Sequence, residues 1–429
     1  VRATAFSLLF GTFLLRLNGG AGTLLIGRFL AQVAPLHGHT ITSIEIGLLA
    51  AAYFVVELAL SPVMGALSDR WGRRIFLTLG PLLGLIQVTG FFLTPSDNPF
   101  PYMMALQVLA GVSSAMQVPA VLGYLADYTA QQPGLRTRIM SFYELVTSGG
   151  LAAGVVTAGF LWDRFGRGAF LLLGIIYLGA AGCMLVIPRT RQIYKRIGEQ
   201  VLLARYWRLV RSPRLFIFIP AWVSIFALIG IWFSSQLTFL LSSHRHLPGQ
   251  HFMGSLGTAG SGGHLSLILG AIVLFFGLCL LFWAFCLNRV PRLFLMFSSI
   301  GGIYLACASL AGLNHSEPGA TLLQVFWIIC LLVGFLAQSS FAPAALSYLA
   351  DISEEAARDR GLLMGLYSVF LGLGQLLGNS LGGIFAEQWG FDGLVYLTML
   401  LAAVALISLL FLAHWERKMP LAMKVRRAE

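Results

Sequence analysis

The chain has 429 residues, of which 58% are hydrophobic and 10% charged, with 48 glycines and a formal net charge of +11. Soluble domains carry roughly a quarter charged residues, so a soluble fold of this size is excluded, as are a disordered chain, a collagen-like chain and a disulfide scaffold. What remains is an all-α multi-pass membrane protein, in which each helical crossing takes about 20 apolar residues.

Apolar runs bounded by charge or turn residues fall near 4–34, 44–67, 75–94, 102–126, 139–161 and 169–188, then near 215–241, 265–287, 293–313, 321–350, 361–386 and 391–413. They predict twelve transmembrane helices, and the opening run is read as a span, not as a cleavable signal. With a cytoplasmic N-terminus, the inner segments hold 23 of the 28 Lys and Arg residues. The outer connections hold Arg164, Arg167 and Arg245, while Arg16 and Arg28 lie within the first run. That bias predicts both termini on the cytoplasmic side of the cell membrane, and it accounts for the net charge without nucleic acid. Cys183, Cys279, Cys286, Cys307 and Cys330 lie in apolar runs without metal-ligand spacing, so they read as small hydrophobes.

The one long polar connection is basic, and Tyr194, Ile197, Val201, Leu202, Arg205 and Leu209 recur there at helical spacing. It reads as an interfacial helix on the anionic inner leaflet, or else as a flexible linker. Residues 119–127, PAVLGYLAD, and 343–351, PAALSYLAD, agree at seven of nine positions across an offset of 224 residues. This repeat predicts an N-terminal six-helix half over 1–188, a linker over 189–214, a C-terminal half over 215–414 and a basic tail over 415–429.

The loop after the second run reads GALSDRWGRR, Gly65 to Arg74. It resembles the signature loop between the second and third helices of the major facilitator superfamily. With twelve spans, a repeat of six and a basic central loop, the resemblance covers essentially the whole chain. It implies two pseudo-symmetric halves and transport by alternating access. It also implies a conformational latch built from Gly65, Asp69, Arg70, Gly72, Arg73 and Arg74, in which Asp69 faces the start of the eleventh helix and Arg70 pairs with Asp127. Asp351 and Arg289 would form a weaker counterpart. The equivalent loop of the second half, Ala284 to Arg292, keeps only Arg289 and Arg292, with Asn288 where the acid would be. Read from the residues alone, Gly65 permits close helix packing, Gly72 a tight turn, and Asp69 a bond to a helix N-terminus. Glycines at 150 and 154, and at 374, 378 and 382, also predict close helix packing. The antiporter branch ends its fifth-helix glycine motif in Gly-Pro; here Gly150 and Gly159 stand without a following proline, so direction stays open.

Ionisable residues deep in a span are expensive and point to function. Arg16 lies twelve residues beyond Thr4, roughly 18 Å in, and Glu57 eleven residues before Ser68, roughly 16 Å from the same face. An Arg16–Glu57 pair near the midplane is therefore plausible, as a functional element or a structural one. Glu144, on the fifth helix, lies about 8 Å above the inner face of the membrane, where it would either titrate during transport or bond to loop groups at the rim. An isolated buried acid loads and releases protons more readily than one beside an arginine, which favours Glu144 over Glu57 as proton carrier. The resemblance places the first, fourth, seventh and tenth helices around the cavity, which makes Arg16, Asn18, Gln117, Gln236 and Gln338 the substrate-cavity candidates, although each also fits an interhelical bond. Tyr53, Trp222 and Trp232 would either wall the cavity or anchor at the interface. Arg28 and Glu45 read as interfacial.

His244, His246, His251 and His264 share a glycine-rich outer loop without an accompanying acid or cysteine, so a flexible loop is favoured over a metal site. No nucleophile constellation, nucleotide loop or redox motif is read, so neither an enzyme nor a cofactor is expected. The leading expectation is a monomeric, proton-coupled secondary transporter in the lipid bilayer, acting on a small organic or amphipathic solute, with export favoured. A metabolite symporter, a uniporter and a non-transporting receptor or assembly factor on the same fold stay open.

Overall fold

The computed structural model describes residues 2–32, 41–95, 99–128, 133–188, 213–243, 247–257, 260–286, 290–317, 319–355 and 360–418. Among these residues the regular structure is helical, without strands. The helices are α1 (Arg2–Gln32), α2 (Ser43–Trp71), α3 (Arg73–Phe92), α4 (Pro99–Tyr128), α5 (Pro133–Phe165) and α6 (Ala169–Leu185), then α7 (Pro213–Trp232), α8 (Ser235–Ser242), α9 (Gly262–Cys286), α10 (Arg292–His315), α11 (Thr321–Gln338), α12 (Phe341–Glu355) and α13 (Arg360–Arg417). The linker from 189 to 212, His244, Arg245, His246, Asn288 and Arg289 lie outside the described residues.

Ten stretches are long and apolar enough to cross a membrane. Two of them, Leu145–Leu185 and Val369–Arg417, hold two crossings each, so the described residues carry twelve. The first is broken by the turn at Gly166–Gly168, where Gly166 has φ +51°. The second is broken at Gly390, where φ is +62° and ψ −134°. Neither conformation suits a side chain, so a glycine stands at each corner.

Two spans that read as continuous in the sequence are interrupted. One breaks between α7 and α8, where the Ser234 hydroxyl donates to the Ile231 carbonyl at 2.9 Å. The other breaks between α11 and α12, where Ser339 donates to Leu336 at 2.9 Å and Ser340 to Ala337 at 2.7 Å. Inside a bilayer the carbonyls freed at a break need new donors, and the paired serines supply them.

The chain forms two compact units. Unit 1 holds residues 1–195, 231–274 and 379–391; unit 2 holds 196–230, 275–378 and 392–429. In unit 1, a Cβ on Gly150 would lie 2.7 Å from the Phe13 carbonyl oxygen, and one on Gly154 would overlap that of Leu17. Glycine thus brings α5 onto the α1 backbone. In unit 2, Gly374 and Gly378 do the same against Val223 and Ala227, bringing α13 onto α7. The 224-residue offset of the sequence repeat relates Gly150 to Gly374 and Gly154 to Gly378. Phe29, Phe91 and Phe170 form an aromatic cluster in unit 1 with ring centroids 5.4–6.4 Å apart, and the Arg167 guanidinium lies 5.2 Å from the Phe29 ring centroid.

Candidate functional site

Within unit 1, α1, α2, α4 and α5 bring a polar group together deep in the apolar part of the chain. Gly111 lets α4 run along α2, since a Cβ there would lie 2.6 Å from the Tyr53 carbonyl oxygen. One turn further along both helices, the Ser114 hydroxyl donates to Glu57 Oε1 at 2.6 Å. The Tyr53 hydroxyl also engages the Glu57 carboxylate. Gly150 of α5 passes 2.9 Å from Arg16 Cβ, measured from its would-be Cβ. Arg16 interacts with the Tyr143 hydroxyl and has Tyr53 and Glu57 within electrostatic reach. The Arg16–Glu57 pairing expected from depth is therefore not a direct contact: Glu57 is held by hydroxyls, with the arginine in its field.

Gln117 lies one turn beyond Ser113 and donates to its hydroxyl at 2.8 Å, while Ser113 donates to the Gly80 carbonyl at 2.7 Å. Asn18 and Gln236 are 2% and 3% exposed, and their amide oxygens and nitrogens have no partner among the described residues. A buried unpaired polar group costs about 1–3 kcal/mol, so both amides sit in an environment that leaves hydrogen-bonding capacity unused. Gln338 ends α11, half-buried. Trp222 is 2% exposed and packs between Phe218 and Phe226, which places it in a core and not at an interface.

Near the inner end of α2, a Cβ on Gly65 would lie 3.3 Å from Pro119 of α4, and Gly72, between α2 and α3, has φ +97°. Arg73 bonds to Asp69 Oδ1 at 2.8 Å. Arg73 is also 8% exposed and covers Gly123, where a Cβ would overlap its guanidinium. The carbonyl of Arg74 accepts from Thr78 at 2.9 Å, and Arg70 is exposed. The side chains of Asp127, Glu144 and Asp351 lie outside the described parts of their helices.

Arg28 corrects an expectation. It reads as interfacial in the sequence, yet it is completely buried, 3.9 Å from Asp163, with a bond of 3.2 Å to the Ser261 hydroxyl. Glu45, by contrast, closes a capping box with Thr42 at the start of α2. No group of three or more His, Cys, Asp or Glu side chains converges for a metal among the described residues.

Twelve apolar crossings, glycine-mediated helix pairs repeated at one offset, and an acid and an arginine deep in the helices describe a secondary transporter. The chain belongs to the Major Facilitator Superfamily, whose family model matches residues 5–335 and 247–427. It is similar to Multidrug resistance protein 2 of Bacillus subtilis (strain 168), with 25% identity over 380 residues, 87% of this chain and 86% of that protein. It is also similar to Quinolone resistance protein NorA of Staphylococcus aureus (strain Mu50 / ATCC 700699), with 22% identity over 350 residues, 80% of this chain and 81% of the relative. Among solved structures it resembles the nucleoside transporter NupG, with a TM-score of 0.73 and 14% identity, covering 97% of this chain and 100% of that one. The D-xylose-proton symporter gives a TM-score of 0.65 at 15% identity, covering 96% of this chain and 95% of that one. At these identities the structural likenesses speak for the fold.

Proposed function

We propose that the protein is a proton-coupled exporter of small amphipathic organic molecules, working by alternating access in the cell membrane with both termini cytoplasmic. The observation that carries this reading is the Glu57 carboxyl, bonded to Ser114 and within the field of Arg16, deep in a span. A carboxyl in that position exchanges its proton when the field of its neighbours changes, and substrate entry or helix movement supplies the change. Few charges accompany it, which suits an apolar solute with one polar or cationic end. The resistance proteins among its relatives support export. The protein acts as a monomer in the bilayer without enzymatic chemistry, its two six-helix halves joined by a cytoplasmic linker. Asn18, Gln117 and Gln236, all in unit 1, are neutral groups that meet the substrate.

The test uses purified protein in liposomes with a fluorescent lipophilic cation and an imposed pH gradient. Gradient-driven accumulation is expected for the wild type and is expected to be lost in Glu57→Gln, with substrate exchange at equal pH retained. The same measurement on Glu144→Gln decides between the two carboxyls: loss there with Glu57→Gln unaffected moves the carrier to Glu144. Transport that ignores pH altogether makes the protein a uniporter.

A further inference from the structure

At the end of unit 1 opposite the Asp69 loop, two short segments follow one pattern. Residues 159–166 read GFLWDRFG and residues 383–390 read GIFAEQWG. Each has a glycine, an acid four residues later, an aromatic two further on and a closing glycine. The two are separated by the same 224 residues as the longer repeat. Both closing glycines, Gly166 and Gly390, take positive φ.

The structure gives both segments the same task. Gly159 lets α5 approach the first turn of α9, because a Cβ there would overlap the Gly262 carbonyl. One turn on, the Asp163 carboxylate accepts from the backbone N–H groups of Gly262 at 3.0 Å and Gly263 at 2.7 Å. Gly383 lets α13 approach the first turn of α2, where a Cβ would lie 2.6 Å from the Ser43 carbonyl oxygen. One turn on, the Glu387 carboxylate accepts from the backbone N–H of Ser43 at 2.6 Å. A helix N-terminus presents unpaired N–H groups and a positive dipole end, so a carboxylate there makes short, charge-assisted bonds. Buried Arg28 reinforces the first site, standing 3.9 Å from Asp163 while donating to Leu256 and Ser261 of the segment that leads into α9.

We infer that Asp163 and Glu387 are a repeat-related pair of latches that hold this end of the protein shut, each by capping the first turn of a helix from the other half of the chain. The latches open together when the end opens, because each bond joins backbone N–H groups of one half to a carboxylate of the other. The inference rests on the alternating-access reading above, but its test reads distances without substrate or gradient, so the two fail separately.

The experiment places spin labels at exposed positions beside each latch, Arg164→Cys with His264→Cys and Ile44→Cys with Gln388→Cys, in full-length protein with its native cysteines replaced by serine. Pulsed dipolar spectroscopy then gives the distance distribution in detergent and in nanodiscs. The latched protein is expected to give one short population at each pair. Asp163→Asn and Glu387→Gln are each expected to raise the open-to-closed ratio about tenfold, as loss of a charge-assisted bond does. The double variant is expected to move most molecules to the longer distance at both pairs. Asp163→Glu and Glu387→Asp keep the charge and are expected to retain most of the short population. If the double variant fails to fold, the single variants carry the test. Distributions that coincide with the latched protein's in folded variants, judged by an unchanged unfolding temperature, overturn the inference.

Discussion

Asp392, at the start of the twelfth span, satisfies two neighbours at once. Its Oδ1 accepts from Asn314 at 2.8 Å and its Oδ2 meets His315 Nε2 at 2.8 Å. Asn314 is fully buried, so Asp392→Ala is expected to destabilise the protein by about 1–3 kcal/mol by removing the acceptor of the Asn314 Nδ2–H and the partner of His315. Asp392→Asn, which keeps an acceptor, is expected to cost less; thermal unfolding in detergent measures both. Arg16 and Glu57 make a second residue-scale case. They share a field without touching, so a double-mutant cycle of Arg16→Gln and Glu57→Gln is expected to give a coupling of about 1 kcal/mol, short of what a buried contact pair shows. Strict additivity would place the two residues in separate environments. Neither Asp392 nor Ser114 stood out in the sequence, and Tyr53 was read there as a cavity wall or an interface anchor, not as a partner of Glu57. Serine, tyrosine and a span-end aspartate are common there, and only the crossing of α2 by α4 brings Ser114 to the carboxylate.

At the scale of the helix, glycine decides which pairs come close. Gly154 and Gly378 each meet a partner backbone directly, against Leu17 in α1 and Ala227 in α7. Gly154→Leu and Gly378→Leu are expected to cost about 3 kcal/mol or more, or to prevent folding, since a rigid backbone cannot yield. Gly149, five residues before Gly154 in α5, has nothing within 4 Å of its would-be Cβ. Gly149→Ala is expected to be neutral or to stabilise by about 0.5–1 kcal/mol through helix propensity. Unfolding temperatures across the three variants check both statements, and equal losses would show that the glycines act through flexibility instead of contact. The breaks at 233–234 and 339–340 belong to the same scale. Their signal was present as the serine pairs Ser234-Ser235 and Ser339-Ser340, but hydropathy alone ran through them because serine is small and only mildly polar.

For the molecule as a whole, the Asp69 loop and the Asp163–Glu387 end lie at opposite ends of the helices, and transport requires each to open in turn. Asp69 is 40% exposed in its bond to Arg73, so Asp69→Asn is expected to change stability by less than about 1 kcal/mol. On the reading of this loop as a conformational latch, the variant is nevertheless expected to reduce transport in liposomes severely. Full transport by that variant would remove the loop from the switching machinery.

Span number, the internal repeat and family membership could be read without coordinates, because each rests on local chemistry. About 20 apolar residues cross a bilayer wherever they stand, and GALSDRWGRR and PAVLGYLAD are contiguous strings. The turn at Gly72 was legible in the same way, whereas the capping box of Thr42 with Glu45 that starts α2 emerged only from the structure. The buried state of Arg28, the hydroxyl cage of Glu57 and the capping acids at 163 and 387 were decided by tertiary structure alone. Arg28 near a helix end reads as an interfacial residue until Asp163 of α5 and the segment at Leu256 and Ser261 are placed around it. Asp163 and Glu387 stand just past the runs that end at 161 and 386, and nothing local marks them; glycine-guided packing brings a helix N-terminus within hydrogen-bonding distance of each. A side chain's charge is written in the sequence, but its partner is set by which helices cross and where, and those crossings depend on backbone approach between residues far apart in the chain.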